Sequence, residues 1–239
     1  VIEWLYALAQ TLDRKIMVRL VKGAYWDTEI KRAQVLGLSG YPVFTRKRNT
    51  DISYIANARK LLGMTNRIYP QFATHNAHTV AAILEMAEDE KSFEFQRLHG
   101  MGEALHDEVR RAENTRCRIY APVGAHSDLL AYLVRRLLEN GANSSFVHQI
   151  VDKSVEPETI AADPFEAHKD GPAANLAIPR PRDIFGSERL GAAGYDLNDA
   201  RTLEQIQAGQ RAFAAPYRWS AGEGNVRREI VNPAIPDEV

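Results

Sequence analysis

A unit made of an apolar strand, a polar turn and an amphipathic helix occurs four times in succession, and it constrains the fold more than any other feature. The strands are predicted at residues 16–21, 67–73, 93–98 and 118–123. Periodic apolar positions predict helices at residues 1–13, 26–36, 51–62, 77–88, 103–112 and 127–140. Strands that alternate with helices form a parallel sheet with right-handed crossovers, so the sequence predicts an α/β fold.

Each predicted strand ends in a polar or glycine-rich turn, which is where active sites lie in both barrels and doubly wound sheets. None of these turns contains a GxGxxG or Walker A motif, which argues against a Rossmann or P-loop site. Four units in about 150 residues amount to half of a TIM barrel, which takes about 250 residues. A barrel would therefore need further strands upstream of Val1.

Composition excludes several classes of protein. Lys and Arg number 30 against 31 Asp and Glu, so nothing in the net charge of -1 favours nucleic acid or an anionic membrane as the main partner. Cys117 is the only cysteine, which excludes an intrachain disulfide and indicates a reducing compartment. No apolar run reaches the ~20 residues that span a bilayer, and no signal peptide is recognisable, so we expect a cytoplasmic protein.

The amino-acid composition of the chain changes after residue 150. Residues 151–182 are acidic and then rich in Pro and Ala, which is typical of a linker. In residues 183–239 only a helix at 203–213 is predicted, too little to close a core. Because the chain begins inside a helical pattern and ends on an irregular Pro-containing stretch, we expect a fragment of a longer protein.

Charged and polar residues at the strand ends are the candidate ligand contacts. Arg19 and Lys22 lie on the first predicted strand and just after it, where a buried cation is costly unless it meets an anion or a ligand. Trp26 could stack on a flat ring. His75 and Asn76 follow the second strand and suit the carbonyls or phosphates of a cofactor. They lack the convergent ligands of a zinc site, so no metal is expected.

Two further features leave alternatives open. Arg135 and Arg136 form either a solvated helix face, which the residues alone favour, or a pair of guanidinium groups that binds a carboxylate. Tyr120 is either the wall of a small pocket or an ordinary core tyrosine. Cys117 has no evident His partner and is interpreted as a core residue rather than a nucleophile.

Five motifs resemble a known family, in the same order along the chain: residues 19–26, 69–76, 98–103, 120–124 and 132–140. They resemble the proline dehydrogenase domain of the bifunctional flavoenzyme family called proline utilization A. The resemblance covers about residues 1–150, and residues 183–239 resemble, less sharply, the start of that family's aldehyde dehydrogenase domain. It implies a (β/α)8 TIM-like barrel of which this chain carries the second half, about strands 5–8, before the linker.

The resemblance also implies an activity. L-Proline would be oxidised to pyrroline-5-carboxylate, the first step of proline catabolism, by hydride transfer from proline C5 to N5 of non-covalently bound FAD. Expected partners are L-proline, a quinone or other electron acceptor, and the remaining part of the same polypeptide, in a homo-oligomer with peripheral association at the inner membrane. NAD is expected only for the aldehyde dehydrogenase domain beyond this chain, and no nucleic acid contact from this segment.

Roles follow for individual residues by the same resemblance. The substrate pocket would be formed by Tyr25, Leu98, Tyr120, Arg135 and Arg136, which favours the carboxylate-binding interpretation of the Arg pair. Arg19, Tyr120, Arg135 and Arg136 would be the catalytic residues. FAD would be bound by Arg19, Val21, Lys22, Gly23, Trp26, Thr45, Lys47, Gln71, Thr74, His75, Asn76 and Glu139. The family's substrate-binding lysine and flavin-side aspartate match no residue here and would lie upstream.

Two other interpretations remain open at this point. The four units could be a non-catalytic half-barrel fragment that needs a partner. Alternatively, the chain could belong to a flavin barrel oxidoreductase that acts on another small acidic substrate, which would differ only in the shape of the pocket.

Overall fold

The structure is a computed structural model that describes residues 1–23, 25–141, 149, 152–169, 172–213, 231 and 233–235, without the side chains of residues 137, 139–141 and 167–169. It comprises two compact units, Val1–Ala193 and Gly194–Val239. Among the described residues no helix is both long enough and apolar enough to cross a membrane.

Strands and helices alternate along the first unit. They are α1 (Ile2–Thr11), β1 (Ile16–Val21), α2 (Trp26–Leu36), α3 (Lys47–Leu62), β2 (Ile68–Ala73), α4 (Ala77–Met86), β3 (Glu94–Leu98), α5 (Glu103–Glu113), β4 (Cys117–Tyr120), α6 (His126–Gly141), α7 (Pro157–Ile160) and α8 (Pro164–Lys169). A 3₁₀ turn follows at Pro181–Asp183, and the second unit contains α9 (Ala200–Arg211).

The four strands form one parallel sheet in the order β1-β2-β3-β4. The register runs from Ile16 beside Ile68 to Val21 beside Ala73, and Leu98 lies beside Tyr120 at the other edge. Sequential strands that are also spatial neighbours, each followed by a helix, confirm the predicted α/β fold with a parallel sheet. The carboxyl ends of all four strands consequently lie along one edge.

The two faces of the sheet differ in chemistry because side chains alternate along each strand. On β1, Ile16, Val18 and Leu20 pack against the hydrophobic core. The opposite surface, which we call the open face, carries Met17, Arg19, Gln71, Glu94, Gln96 and Arg118. Met17 is 65% exposed there. The open face is therefore the one available to a ligand or to further structure.

Three phenylalanines centre the core between the sheet and the helices. Phe72 and Phe95 lie on the strands, and Phe93 immediately precedes β3. Their rings meet edge to face, with centroids 5.5 Å apart for Phe72 and Phe93 and 5.3 Å apart for Phe93 and Phe95. Such pairs contribute about 0.5–1.5 kcal/mol beyond the burial of their surface. This packing fixes β2 and β3, whose carboxyl ends carry much of the candidate site.

Some element boundaries differ from the prediction. Helix α3 begins at Lys47, four residues before the predicted start, because Asp51 does not cap the helix but pairs with two lysines. Strand β4 ends at Tyr120 rather than residue 123, where Pro122 cannot donate to a ladder. Helix α9 begins at Ala200 rather than 203, because Asp199 caps it by accepting from two backbone N–H groups.

The Pro- and Ala-rich stretch at residues 172–180 packs against earlier residues of the first unit. Asn49 Nδ2 donates to the carbonyl of Ala173 at 2.8 Å, and Arg46 Nε donates to that of Ala174 at 3.0 Å. Tyr41 donates its hydroxyl to the carbonyl of Pro179 at 2.6 Å. The stretch is thus held along the residues that lead into α3, while the division of the chain at residues 150 and 182 stays a prediction.

Candidate active site

Arg19 brings the two outer strands of the sheet together. Its Nε donates to Gln96 Oε1 at 2.8 Å, and its guanidinium carbon lies 4.8 Å from the centre of the Tyr120 ring. In a flat sheet β1 and β4 would lie about 14 Å apart. The side chains of Arg19 and Tyr120 therefore bridge the width of the sheet on its open face, near the carboxyl ends of the strands.

Lys22, just beyond β1, is held by α3 and α4. Its ammonium lies 2.5 Å from Asp51 Oδ1, donates to Thr79 Oγ1 at 3.2 Å and sits 5.4 Å from the centre of the Tyr54 ring. Burial lowers the pKa of Lys22, although Asp51 opposes that shift. Burial works against ionisation of Asp51, yet attraction to Lys22 and Lys47 and hydrogen bonds from both lower the pKa of its carboxyl.

Asp51 is a site residue that the sequence prediction missed, because an acidic residue at the predicted start of a helix is usually a cap. Its second oxygen, Oδ2, lies 2.9 Å from the ammonium of Lys47. Asp51 thereby connects Lys22 and Lys47, both of which were predicted to bind the cofactor. The i, i+4 spacing of Lys47 and Asp51 was the signal that could have found half of this arrangement. Together the three residues carry a net charge of +1.

His75 is a neutral hydrogen-bond donor at the carboxyl end of β2. Its Nε2 accepts from the backbone N–H of Leu98 at 3.1 Å, so the neutral ring carries its proton on Nδ1. Burial, assisted by the neighbouring His106 and the positive charges of Arg97 and Arg136, lowers the pKa of His75 to about 4. The residue therefore offers an Nδ1–H at neutral pH without a positive charge.

The turn around His75 is fixed by its neighbours. Asn76 caps α4 by accepting from the backbone N–H of Thr79 at 3.0 Å, and Thr74 Oγ1 accepts from that of Asn76 at 3.2 Å. His106, which the sequence prediction also missed, is buried and donates from Nε2 to the carbonyl of Thr74 at 2.9 Å. His106 is distinguished only by its burial on α5. The sequence therefore gives only a weak signal for it.

Arg135 and Arg136 are partly buried on α6, unlike residues of a solvated helix face. The guanidinium carbon of Arg135 lies 4.5 Å from the centre of the Tyr25 ring, and its Nη2 donates to the Tyr25 hydroxyl at 3.3 Å. Its Nε is buried and has no hydrogen-bond partner among the described residues. Arg136 lies 5.3 Å from the centre of the Tyr132 ring, and its charge acts on both His75 and Tyr120.

Tyr120 and Leu98 lie side by side at the ends of β4 and β3. Leu98 is buried, and Tyr120 is partly buried beneath the guanidinium of Arg19. Burial raises the pKa of Tyr120, against the opposing effect of Arg19, so the phenol is neutral at physiological pH. Cys117, at the start of the same strand, packs against the core, and burial raises the pKa of its thiol, as expected of a core residue.

The first residue of α2 and the loop that precedes α3 form a second group. Trp26 donates its Nε1–H to the carbonyl of Phe44 at 2.7 Å while 43% of its surface stays exposed. The adjacent Thr45 accepts on Oγ1 from the backbone N–H of Asn175 at 2.9 Å. Trp26 is thus hydrogen-bonded to the residue that precedes Thr45, and its indole stays partly accessible to a ligand.

The remaining predicted site residues differ in how far the structure describes them. Val21 is 46% exposed at the end of β1, and Gly23 has open space around its Cα. Gln71 donates from Nε2 to Glu94 Oε1 at 2.8 Å, within the open face. The side chain of Glu139 lies outside the described residues. Within the described part of the chain, no cluster of three His, Cys, Asp or Glu side chains could hold a metal ion.

Three comparisons relate the chain to known proteins. A family model described as Proline dehydrogenase matches residues 1–149. The bifunctional protein PutA of Klebsiella aerogenes is 49% identical over 262 aligned residues, which cover 100% of this chain and 20% of that protein. The bifunctional protein PutA of Rhizobium meliloti is 51% identical over 233 residues, which cover 92% of this chain and 18% of that protein.

Solved structures agree with these relatives. A crystal structure of a Bradyrhizobium japonicum Proline Utilization A (PutA) mutant is 56% identical and matches with a TM-score of 0.83, covering 88% of this chain and 22% of that one. The chain thus spans about a fifth of the length of the curated relatives it matches. Because the family model covers more than half of its residues, the chain belongs to the proline dehydrogenase family.

Proposed function

We propose that this chain forms part of a flavin-dependent proline dehydrogenase, which oxidises L-proline to pyrroline-5-carboxylate as the first step of proline catabolism. The observation that carries the proposal is the pairing of Arg19 with Tyr120 and of Arg135 with Tyr25 at the carboxyl edge of a parallel sheet. Guanidinium groups at that edge suit a small carboxylate and an electron-rich ring. Membership of the family, and the PutA relatives, support proline as the substrate.

The donors around the strand ends fit FAD. Lys22 and Lys47 outnumber their shared partner Asp51, which leaves a net positive charge for a phosphate. His75 offers an uncharged Nδ1–H for a ring acceptor, and the exposed indole of Trp26 suits stacking on an adenine. We infer that FAD would be held without a covalent bond by Arg19, Val21, Lys22, Gly23, Trp26, Thr45, Lys47, Gln71, Thr74, His75, Asn76 and Glu139.

Arg135 and Arg136 would bind the substrate carboxylate. The buried Nε of Arg135 has no hydrogen-bond partner among the described residues, and a carboxylate would provide one. The Tyr25 ring and hydroxyl hold the same guanidinium in place, so little side-chain entropy remains to be lost on binding. Leu98 and the neutral Tyr120 would form the walls beside the proline ring.

The chemistry assigned to the chain's own residues is orientation and charge stabilisation. FAD, when bound, supplies the acceptor for the hydride that leaves proline C5. The carboxylate-binding pair would fix the ring of proline relative to that acceptor, which replaces a random encounter with a positioned one. Arg19 would stabilise the negative charge that develops nearby, since a fixed cation in a site that excludes water acts strongly.

The open face of the sheet supports a closed barrel in the whole protein. Met17 and Val21 are apolar but 65% and 46% exposed, and both outer strands have an unpaired edge in the described sheet. Further strands that cover this face and join the edges would bury those side chains and edges. We therefore infer a (β/α)8 TIM-like barrel, with about strands 5–8 in residues 1–150, a linker at 151–182 and the start of an aldehyde dehydrogenase-like domain at 183–239.

The proposal extends to partners and location. The rest of the same polypeptide would complete the barrel, and NAD would serve only the aldehyde dehydrogenase domain. A quinone or other acceptor would reoxidise the flavin, in a cytoplasmic homo-oligomer associated peripherally with the inner membrane. The relatives described as bifunctional support the two-domain arrangement.

The experiment that tests the proposal uses the full-length protein. After purification, its FAD content is measured, and L-proline is supplied with an artificial electron acceptor while pyrroline-5-carboxylate is assayed. We expect one FAD for each barrel and product formation that depends on proline. Bound FAD with turnover of a different small acid would support another flavin barrel oxidoreductase, and a protein without FAD would contradict the proposal.

A further inference from the structure

A continuous series of hydrogen bonds crosses the open face and ends at Arg19. Arg118 donates from Nε to Glu94 Oε1 at 2.6 Å and from Nη2 to Glu94 Oε2 at 2.8 Å. Gln96 donates from Nε2 to Glu94 Oε1 at 2.9 Å, and its Oε1 accepts from Arg19 Nε at 2.8 Å. The series connects β4 to β1 through two residues of β3.

The chemistry of the two ends fixes the orientation of the Gln96 amide. An ionised Glu94 can only accept hydrogen bonds, and the guanidinium of Arg19 can only donate them. A flipped amide would turn its NH₂ group toward Arg19 and its oxygen toward the carboxylate, which makes two repulsive contacts. The observed orientation is therefore the only one that satisfies both neighbours.

Glu94 is held as an anion in a buried position. Only 4% of the residue is exposed, and burial works against its ionisation. Hydrogen bonds from Arg118, Gln96 and Gln71 outweigh burial and lower the pKa of Glu94. A buried carboxylate that is fully hydrogen-bonded is a rigid acceptor, so it can determine how its neighbours point.

We propose that Glu94 and Gln96 are positioning residues for Arg19: the Glu94 carboxylate fixes the Gln96 amide, and that amide holds the Arg19 guanidinium over Tyr120. The inference rests on the proposed function, in which Arg19 stabilises charge beside the flavin. Without the hydrogen bond from Nε to Gln96, only the Tyr120 ring would orient the Arg19 guanidinium, which would then sample several positions. Held through Nε, it presents its two NH₂ groups in one direction.

The test is the midpoint potential of the bound flavin in the full-length protein. Variants Gln96→Met, Glu94→Gln and the double substitution are compared with wild type. The control is Gln34→Met, since Gln34 is a partly buried glutamine on α2 whose Nε2 donates to the Tyr41 hydroxyl at 3.1 Å, away from Arg19. Thermal melts establish that each variant is folded.

A positioned cation raises the potential, so Gln96→Met should make it more negative and Gln34→Met should leave it unchanged. Loss of one charge-assisted hydrogen bond should lower kcat roughly 10- to 100-fold. KM for proline should stay within about twofold, because Arg19 is not assigned to substrate binding. Glu94→Gln should shift the potential in the same direction but less, since a neutral side chain at that position can pair with the amide in either orientation.

The double variant separates a relay from a direct effect of the Glu94 charge. If Glu94 acts through Gln96, the double substitution shifts the potential no further than Gln96→Met alone. Shifts that add together, or a potential that Gln96→Met leaves unchanged, would overturn the inference. Should Gln96→Met not yield folded flavoprotein, Glu94→Gln decides the matter: an unchanged potential overturns the inference and a more negative one supports it.

The result for the wild-type protein distinguishes a failure of this inference from a failure of the proposed function. A wild-type protein that contains no flavin, or whose flavin proline does not reduce, contradicts the proposed function, and the inference falls with it. A wild-type flavin that proline reduces, together with wild-type potentials in the Glu94 and Gln96 variants, contradicts the inference alone.

Discussion

The carboxylate of Asp51 lies 2.5 Å from the ammonium of Lys22, an ion pair that fastens the first turns of α3 to the end of β1. Side-chain exposures of 16% for Asp51 and 23% for Lys22 show that the pair is partly buried. The other carboxylate oxygen of Asp51 pairs with the ammonium of Lys47 on the same helix. One acidic side chain thus orders two of the cations that we assign to the cofactor.

Replacement of Asp51 by Asn should therefore affect both stability and cofactor binding. Removing one partner of a partly buried ion pair leaves an uncompensated cation, and we expect the free energy of unfolding to fall by about 2–4 kcal/mol. FAD should bind more weakly because Lys22 and Lys47 lose their fixed positions. Urea unfolding and an FAD titration of the full-length protein measure the two effects. Glu108→Gln, which breaks an exposed pair with Arg111, should change stability by less than about 1 kcal/mol.

The Asp51 pair also predicts a dependence of stability on pH. Because the pKa of Asp51 is lower in the folded protein than in the unfolded chain, its contribution is present above the ordinary pKa of 3.8 and is lost as the pH falls through the folded value. Wild type should therefore lose more stability on acidification below pH 4 than Asp51→Asn does. Equal losses in the two proteins would show that the carboxylate is not selectively stabilised by folding.

The substrate-binding assignment predicts a selective loss in Arg135→Met. Without its guanidinium, the site loses charge-assisted hydrogen bonds to the proline carboxylate, and KM should rise roughly 10- to 100-fold. FAD should stay bound, because Arg135 contacts Tyr25 rather than the residues assigned to the flavin. Steady-state kinetics and flavin content measure both quantities.

A matched control for this variant is Arg111→Met. Arg111 is an exposed arginine of α5 that pairs with Glu108 at 3.3 Å. The Arg111→Met variant should bind proline as wild type does. Normal KM values in Arg135→Met would mean that the guanidinium beside Tyr25 does not contact the substrate.

His75 predicts a second loss of stability in mild acid. The unfolded chain takes up a proton at His75 as the pH falls below the ordinary pKa of 6.5, whereas the folded ring does so only near 4. The unfolded state then binds more protons, so the stability linked to this residue is lost as the pH falls from 6.5 to 4, by up to about 3 kcal/mol. Denaturant unfolding at a series of pH values should show a shallower decline for His75→Asn than for wild type.

The exposed His99 provides the comparison, because His99→Asn removes an imidazole that is open to solvent. That variant should keep the wild-type dependence on pH. If His75→Asn declines as steeply as wild type, the neutral, buried state assigned to His75 is incorrect.

Substitution of Gly102 by Ala should lower the free energy of unfolding more than the same substitution at Gly100. Its backbone has φ of +64°, and a Cβ there would lie 3.0 Å from Cδ2 of His75. Gly102→Ala should therefore cost the strain of a left-handed conformation, about 1 kcal/mol, plus a displacement of His75. Gly100, with φ of +80° and no atom within 4 Å, isolates the strain alone. Urea unfolding of the two Ala variants should differ, and equal costs would contradict the contact.

The fold was largely predictable because its signals are local. The alternation of apolar residues on strands and the 3.6-residue period on helices are both visible within about ten residues, and they predict a parallel sheet once they alternate. The same logic placed Arg19, His75 and Tyr120 near one edge, since the carboxyl ends of parallel strands coincide. The roles of these residues, however, came from resemblance to a family rather than from spacing.

The contacts that fix those side chains could not be predicted. Asp51 is 29 residues from Lys22, and Gln96 is 77 residues from Arg19, so neither pair leaves a periodic trace in the sequence. Glu94 and Gln96 share one face of β3, which indicated two polar groups on that face but not their partners. The stretch at 172–180 packs through backbone carbonyls, which any sequence would supply.

An anaerobic titration of the full-length protein with L-proline, followed by the visible absorbance of its flavin, tests whether the protein oxidises proline. We expect an oxidised flavin band that L-proline bleaches in proportion to the amount added, in wild type and, at higher proline concentrations, in Arg135→Met. A flavin band that L-proline leaves unchanged in the wild type, or the absence of any such band, would contradict proline oxidation by this protein.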